Sequence, residues 1–231
     1  MKSNRSVNHM VGIIVLVVVF SLVLGTGLCL AADKEDAQGL VDKANVTLSA
    51  FMRDKDYSWI PKNFGKAKGV LIYPQVLKAG FIFGGSGGTG VFLARDDKGT
   101  WSEPAFYTIG SVSFGLQIGG EAAEVIVLCM SQKAVDALMT SQVKLGGDTS
   151  IALGPVGAGA KTNIVADFIS FAKSKGIYAG LNLEGSVVGV RDSLNHAYYG
   201  ASLTPIQIIV EKKAANPGSD VLRSSLKKAS K

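Results

Sequence analysis

The chain has 231 residues, 47% of them hydrophobic and 18% charged, with 28 glycines, two cysteines, two histidines and a formal charge of +6. The apolar fraction excludes a disordered chain, and the few cysteines and histidines exclude a disulfide framework and argue against a metal centre. The basic balance leaves nucleic acid, an anionic membrane surface and an acidic partner as open classes of partner.

Residues 1–32 are predicted to be a secretory signal peptide. Two basic residues precede an uncharged apolar run over 11–24, and small residues follow up to a cleavage site after Ala31. This order is typical of an export leader. The alternative is an uncleaved anchor over 11–32, which is about long enough to cross a bilayer. Both interpretations place the folded part outside the cytoplasm, which in a bacterial cell means the periplasm or cell envelope.

The segment that follows the leader is predicted to form one amphipathic helix from Asp33 to Asp54. Its apolar residues recur at helical spacing: Leu40, Val41, Ala44, Leu48, Phe51 and Met52. Acidic residues at the start complement the helix dipole, but they repel anionic lipid. We therefore expect this helix to pack on the core, with a membrane-active helix as the alternative.

Short strands joined by tight turns are predicted for most of the remaining chain. They cover 70–73, where Pro74 is expected to end the strand, and 79–83, 91–95, 112–118, 124–130, 150–154, 164–172, 176–183 and 186–190. Asp96 to Gly99 is predicted to be a hairpin turn, and Ser131 to cap a short helix. Few connections are long enough for parallel crossovers, which favours antiparallel pairing.

These elements predict a single α+β domain over 33–211. Its twisted, mainly antiparallel, glycine-rich sheet is expected to curl toward a sandwich or partial barrel, with an N-terminal amphipathic helix and a few short helices. Residues 212–231 contain six basic residues and one acid, and they are predicted to be a flexible basic tail or a short helix. An isolated helix of that length is unstable.

No catalytic constellation emerges from the sequence. Gly85 to Gly90 matches the dinucleotide spacing G-x-G-x-x-G, but an apolar strand follows it where a helix is required. The same glycine-rich stretch places Ser86 in a G-x-S-x-G pattern, and His196 is the one histidine beyond the leader. We predict a protein without enzymatic activity or cofactor, and a hydrolase using Ser86 is the less favoured alternative.

The basic residues suggest a surface contact. Beyond the leader, 22 basic residues oppose 18 acidic ones, and the tail accounts for that excess, so that 33–211 is nearly neutral. Lysines and aromatic residues alternate near the start of the domain, a mixture that suits a membrane interface. The candidate lipid-binding residues are Arg53, Trp59, Lys62, Lys66, Lys68 and Lys78. The alternative is a solvated face with its aromatic rings in the core.

Several motifs resemble the SYLF-domain family, in order and over roughly 51–210. They are Ala67-Lys68-Gly69-Val70; Lys78-Ala79-Gly80-Phe81 with Gly84-Gly85; Trp101-Ser102-Glu103-Pro104-Ala105; 110–119; Gly154-Pro155-Val156-Gly157; and Leu183-Glu184-Gly185 followed by Arg191, Asn195, Tyr199 and Gly200. The resemblance implies a lipid-binding module, since eukaryotic relatives bind phosphoinositide membranes through a basic surface and an N-terminal amphipathic segment. Some yeast members also bind actin, and bacterial relatives are exported.

The sequence and the resemblance together predict an envelope protein that contacts anionic phospholipid headgroups. An exported protein would not meet actin in its own cell, so actin binding is not carried over. Export and the lack of a nucleic-acid-binding motif argue against nucleic acid as a binding partner. The alternative is a structural role, or binding to another envelope protein, without a lipid ligand.

Overall fold

The structure, a computed structural model, describes residues 33–80, 83–114, 119–147, 149–157, 164–174 and 183–231. The predicted leader over 1–32 and nearly all of the predicted strand over 176–183 lie outside these residues. In the described ranges, no helix has the length and apolar character needed to cross a membrane.

Helices and helical turns surround one sheet. The helices are α1 (33–53), α2 (Trp59–Asn63), α3 (Gln132–Leu138), α4 (Asp192–Tyr199) and α5 (Asp220–Ala229), with a π-helix at Ile206–Val210 and 3₁₀ turns at Lys55–Tyr57, Phe64–Lys66 and Pro217–Ser219. The strands are β1 (Gly69–Gly80), β2 (Phe83–Ala94), β3 (Ala105–Phe114), β4 (Gly119–Cys129), β5 (Gln142–Lys144), β6 (Ile151–Leu153), β7 (Phe168–Ser174) and β8 (Val187–Val190).

The eight strands form one curled sheet in the order β5-β8-β3-β2-β1-β4-β7-β6. Neighbouring strands are antiparallel, with one exception in the described sheet, the parallel pair β6 and β7. The result is a single domain of mixed helices and strands built on a half-barrel. The predicted α+β class and the mainly antiparallel, curled sheet are therefore confirmed.

Side-chain alternation along the strands builds a core on each face of the sheet. On β1, Val70 and Ile72 belong to the cluster that packs under α1, α2 and α5, whereas Leu71 and Tyr73 belong to the cluster that packs under α3. All four side chains are fully buried. This two-sided burial explains why these strands have runs of consecutive apolar residues.

The predicted N-terminal helix is confirmed as α1, which lies on the sheet. The side chains of Val41, Ala44 and Leu48 are at most 1% exposed, and the acidic residues at its start face solvent. After α1 ends, the Asp54 carboxylate accepts a hydrogen bond from the Asp56 backbone and forms a 2.6 Å ion pair with Lys173 of β7. This pair ties the end of α1 to the sheet.

The strand that was expected to end at Pro74 continues to Gly80. The pairing of β1 with both neighbours shifts register around Pro74, which marks a β-bulge. A bulge tolerates proline because the extra residue leaves the hydrogen-bond ladder. The expected glycine loop is likewise a strand, β2, and a Cβ on Gly88 or Gly90 would collide with the carbonyl oxygen of Gln75 or Ile72.

The basic tail contains a folded helix rather than a flexible arm. Leu222 and Leu226 of α5 are at most 1% exposed and lie in the cluster under α1 and α2. The Trp101 indole N–H donates to Ser230 Oγ at 2.9 Å, and Arg223 forms a 2.9 Å ion pair with Glu103. Tertiary contacts thus supply the stability that an isolated helix of this length lacks.

Candidate functional site

The six predicted site residues are placed differently from one another. Arg53, Lys62, Lys66 and Lys68 are exposed, and Lys78 is half-buried. Trp59 is 6% exposed and packs on Phe171, with ring centroids 5.6 Å apart. Its ring is a core side chain, so it does not lie at a surface where lipid headgroups would meet it. The neighbouring aromatic residues Tyr57 and Phe64 are buried as well, as the solvated-face alternative predicted.

Three of the predicted lysines lie at one end of β1. Lys62 and Lys66 are on α2 and the 3₁₀ turn that follows it, and the Lys66 ammonium donates to Asn63 Oδ1 at 3.0 Å. The backbone N–H of Lys68 donates to the Cys129 carbonyl at 2.7 Å, which fixes this segment to the sheet. The three lysines therefore project from a short, well-anchored stretch of chain.

Lys78 does not join this group. It lies near the other end of β1, which at about 3.3 Å per residue places it roughly 30 Å from Lys68 along the strand. Arg53 lies in the last turn of α1, on a different element from the three lysines. Sequence proximity therefore overestimated the size of this cluster.

The fold adds basic residues that the sequence analysis missed. The end of α5 lies against the segment that contains Lys66, since a Cβ built on Gly65 would be 3.1 Å from the Ser230 carbonyl oxygen. Arg95, at the end of β2, donates from Nη2 to the Gly65 carbonyl at 2.5 Å and lies 6.0 Å from the centroid of the Trp101 ring. We call the resulting set the basic surface: Lys62, Lys66, Lys68, Arg95, Lys227, Lys228 and Lys231.

The basic surface consists of seven cationic side chains. Within the described ranges, none of its seven side chains forms an ion pair, although other basic residues do. Asp96 follows Arg95 directly, but its carboxylate pairs with Lys212 at 2.9 Å. The hydrogen bond from Lys212, followed by one from the Thr100 backbone, lowers the pKa of Asp96. This acid therefore stays charged and engaged elsewhere.

A pocket of about 460 Å³ lies behind Trp101, between the hairpin at 94–103 and the chain at 208–214. Its acids and bases neutralise one another, because Asp96 pairs with Lys212 and Glu103 with Arg223. It therefore offers less net charge to a ligand than the basic surface does.

The motifs of the enzyme alternative are separated from their required partners. Ser86 lies within β2 rather than at a strand-to-helix turn, and its hydroxyl bonds that of Ser111 at 2.7 Å. His196, on α4, contacts the Ser202 hydroxyl through Nδ1 at 3.3 Å. Burial raises the pKa of the Cys129 thiol, which disfavours the reactive thiolate. Among the described residues, no cluster of three His, Cys, Asp or Glu side chains is arranged to hold a metal ion.

Comparison with known proteins establishes the family. The model of the Ysc84 family, described as "Las17-binding protein actin regulator", matches residues 110–229. This segment extends from β3 to the end of α5 and covers half of the chain. The chain therefore belongs to the Ysc84 family, whose domain is the SYLF domain, and the family prediction is confirmed.

Named relatives agree with this assignment. An SH3 domain-containing protein of Schizosaccharomyces pombe is 37% identical over 72% of this chain and 41% of its own length. Protein YSC84 of Saccharomyces cerevisiae is 35% identical over 68% of this chain and 35% of its own length. The SH3 domain-containing YSC84-like protein 1 of Rattus norvegicus is 33% identical over 62% of this chain and 44% of its own length. The chain thus spans less than half the length of each relative, and no solved structure gives a significant match.

Proposed function

We propose that this domain binds anionic phospholipid headgroups at a membrane of the cell envelope, without catalysing a reaction. The observation that carries the proposal is the joining of two basic segments, 62–68 and 227–231, at the contact between Gly65 and Ser230. Lysines on both sides of this contact are exposed and, among the described residues, form no ion pair. An anionic surface would provide the counter-charge that the fold does not.

The physical strength of such a contact follows from the number of lysines. Each basic residue near an anionic lipid surface contributes about 1 kcal/mol, and the effect decays within a Debye length, about 8 Å at physiological salt. The amphipathic helix α1 is not part of this contact, because its apolar face is buried in the core. Binding is therefore expected to be mainly electrostatic and superficial.

The location remains a proposal that rests on the predicted leader. If residues 1–32 direct export, the available membranes are those of the envelope, and actin is not part of the proposal. N-terminal sequencing of the protein from its envelope fraction tests this step. A first residue at position 32 or 33 supports cleavage, recovery of residue 1 in that fraction supports the anchor, and a protein confined to the cytosol contradicts export.

Vesicle co-sedimentation tests the lipid contact. We expect binding to vesicles that contain phosphatidylglycerol but not to pure phosphatidylcholine, and loss of binding as salt is raised. Substitution of Lys62, Lys66 and Lys68 by Glu should abolish binding. The matched control substitutes Lys34, Lys43 and Lys144, which are exposed on α1 and β5, with the same change in charge. Equal binding by the two triple variants, or binding that salt does not affect, would contradict the proposal.

A role in binding another protein is the second candidate. The family description and the names of the relatives refer to Las17 binding and SH3 domains. If this chain binds another protein instead of lipid, it should not bind anionic vesicles. It should then form a stable complex with that protein on affinity purification from envelope extracts. Vesicle binding that depends on the basic surface would favour the lipid function instead.

A further inference from the structure

A row of polar residues crosses four strands beyond the bulge in β1 and reaches the residue that precedes β8. Lys78 pairs with Glu121 of β4 on one side and with Ser86 of β2 on the other, and Ser86 pairs with Ser111 of β3. Ser186 immediately precedes Val187, the β8 residue that pairs with Gly110. Continued by one residue, this register would bring Ser186 to the position next to Ser111. We call this set the polar row: Glu121, Lys78, Ser86, Ser111 and Ser186.

The polar row borders the core that packs under α3. Paired residues share a face of the sheet, and so do residues two apart on one strand. The row on its inner side consists of Ala123, Val76, Gly88, Ile109 and Val188, whose apolar side chains are buried. On its outer side, Gly80 pairs with Gly84 and Gly119. The glycines at these three positions contribute no side chains of their own beside Lys78 and Ser86.

The hydrogen-bonding capacity of the polar row is largely unused. The Ser86 and Ser111 hydroxyls share one proton in a 2.7 Å hydrogen bond, and among the described residues no acceptor takes the second proton. Lys78 forms no ion pair in the described structure, although Glu121 is directly opposite. The Ser186 hydroxyl is fully buried and has no hydrogen-bond partner. Burial of an unpaired hydroxyl is unfavourable, and a bound acceptor would relieve it.

We propose that the polar row is a binding site for the phosphate group of a small ligand. Donors predominate in it: the Lys78 ammonium supplies positive charge, and the three serines supply two hydroxyl protons beyond the one that Ser86 and Ser111 share. Lysine acts as a point charge toward phosphate, and hydroxyls complete the set of donors. Glu121 lies on the opposite side of Lys78 from Ser86, so an anion approaches over the serines. This site is at the other end of β1 from the basic surface and does not rest on the proposed membrane contact.

The phosphate could belong to a lipid headgroup or to a free anion, and titration of the full chain distinguishes the two. The probes are soluble dihexanoyl phosphatidic acid, inorganic phosphate and, as a control, dihexanoyl phosphatidylcholine, each followed by calorimetry. Lys78→Gln should weaken binding at least tenfold, whereas the control variant Lys34→Gln, at an exposed residue of α1 outside the basic surface, should leave it unchanged. Binding of both phosphate probes assigns the site to the phosphate group itself. Binding of phosphatidic acid alone assigns it to the headgroup of a lipid.

Two results would overturn the proposal. The first is no binding of either phosphate probe, and the second is binding that Lys78→Gln does not affect. Ser186→Ala provides an independent readout. Without ligand its thermal midpoint should equal or exceed that of the wild type, because an unpaired buried hydroxyl is removed, while its affinity for the phosphate probe should fall. A lower midpoint with unchanged affinity would make Ser186 a structural residue and contradict its place in the site.

Discussion

The Trp101 indole donates a hydrogen bond to Ser230 Oγ at 2.9 Å, which fastens the end of α5 to the connection between β2 and β3. The Trp101 side chain is 2% exposed, and its ring also packs on Phe64 with centroids 5.9 Å apart. Through this contact the exposed lysines of the C-terminal segment come to lie beside those that precede β1. The basic surface depends on it.

Removal of the hydroxyl at Ser230 should therefore destabilise the domain. Ser230→Ala leaves the buried indole N–H without an acceptor, which costs about 1–3 kcal/mol. The matched control is Ser224→Ala, since Ser224 is exposed on the same helix. Urea denaturation checks the prediction. Equal free energies of unfolding for the two variants would show that the end of α5 is not held by this bond.

The docking of α5 is tested by its buried leucine. Leu226→Ala should lower the free energy of unfolding by about 2–5 kcal/mol, because Leu226 is fully buried. Val221→Ala on the same helix should change it by about 0.5 kcal/mol or less, because Val221 is 64% exposed. The comparison is made by urea denaturation. A small effect at both positions would indicate a tail detached from the core.

The close approach of β2 to the bulge predicts a position-specific intolerance of side chains. Gly90→Ala should destabilise by about 1–3 kcal/mol, because its Cβ would collide with the Ile72 carbonyl oxygen. Gly110→Ala on β3 is the control, since its Cβ would lie 3.8 Å from the Ser86 carbonyl oxygen, an ordinary contact. Thermal unfolding of both variants checks this. Equal tolerance would mean that the bulge at Pro74 is absent.

Acid stability should depend on Asp167. Hydrogen bonds from the Ser131 hydroxyl and the Ser150 backbone lower the pKa of this carboxyl in the folded state. Because the unfolded chain then binds the proton more tightly, the stabilisation is fully present above about pH 4 and is lost as pH falls through the folded pKa. Asp167→Asn should flatten the decline in urea midpoint below pH 4. A decline as steep as that of the wild type would contradict this role.

The sequence predicted those parts of the fold that depend on local patterns. The helical spacing over 33–54 and the apolar run over 124–130 identified α1 and part of β4. The alternation predicted over 112–118 matches β3 over 112–114, and residues 115–118 lie outside the described residues. Pro74 was misinterpreted as a strand end, because tolerance of proline in β1 depends on a bulge formed with distant neighbours. The packing of α5 was missed because it requires contact with Trp101, far away in the chain.

The candidate site was predictable to a similar extent. Lys62, Lys66 and Lys68 lie together because they are close in the chain, whereas the extended conformation of β1 moves Lys78 away. Trp59 was placed at the surface because the sequence does not show which way a ring points, and packing on Phe171 buries it. The contributions of Arg95 and α5 depend on tertiary contacts with Gly65 that no local pattern indicates.

The most direct test of the central proposal is the affinity for phosphatidylglycerol vesicles of a variant with Lys227, Lys228 and Lys231 changed to Gln. These residues join the basic surface only through the fold, and at about 1 kcal/mol for each lysine their removal should weaken binding about 100-fold. A comparable loss is expected when Lys62, Lys66 and Lys68 are changed in the same way. Wild-type affinity in the α5 variant would contradict a single basic surface that binds the membrane.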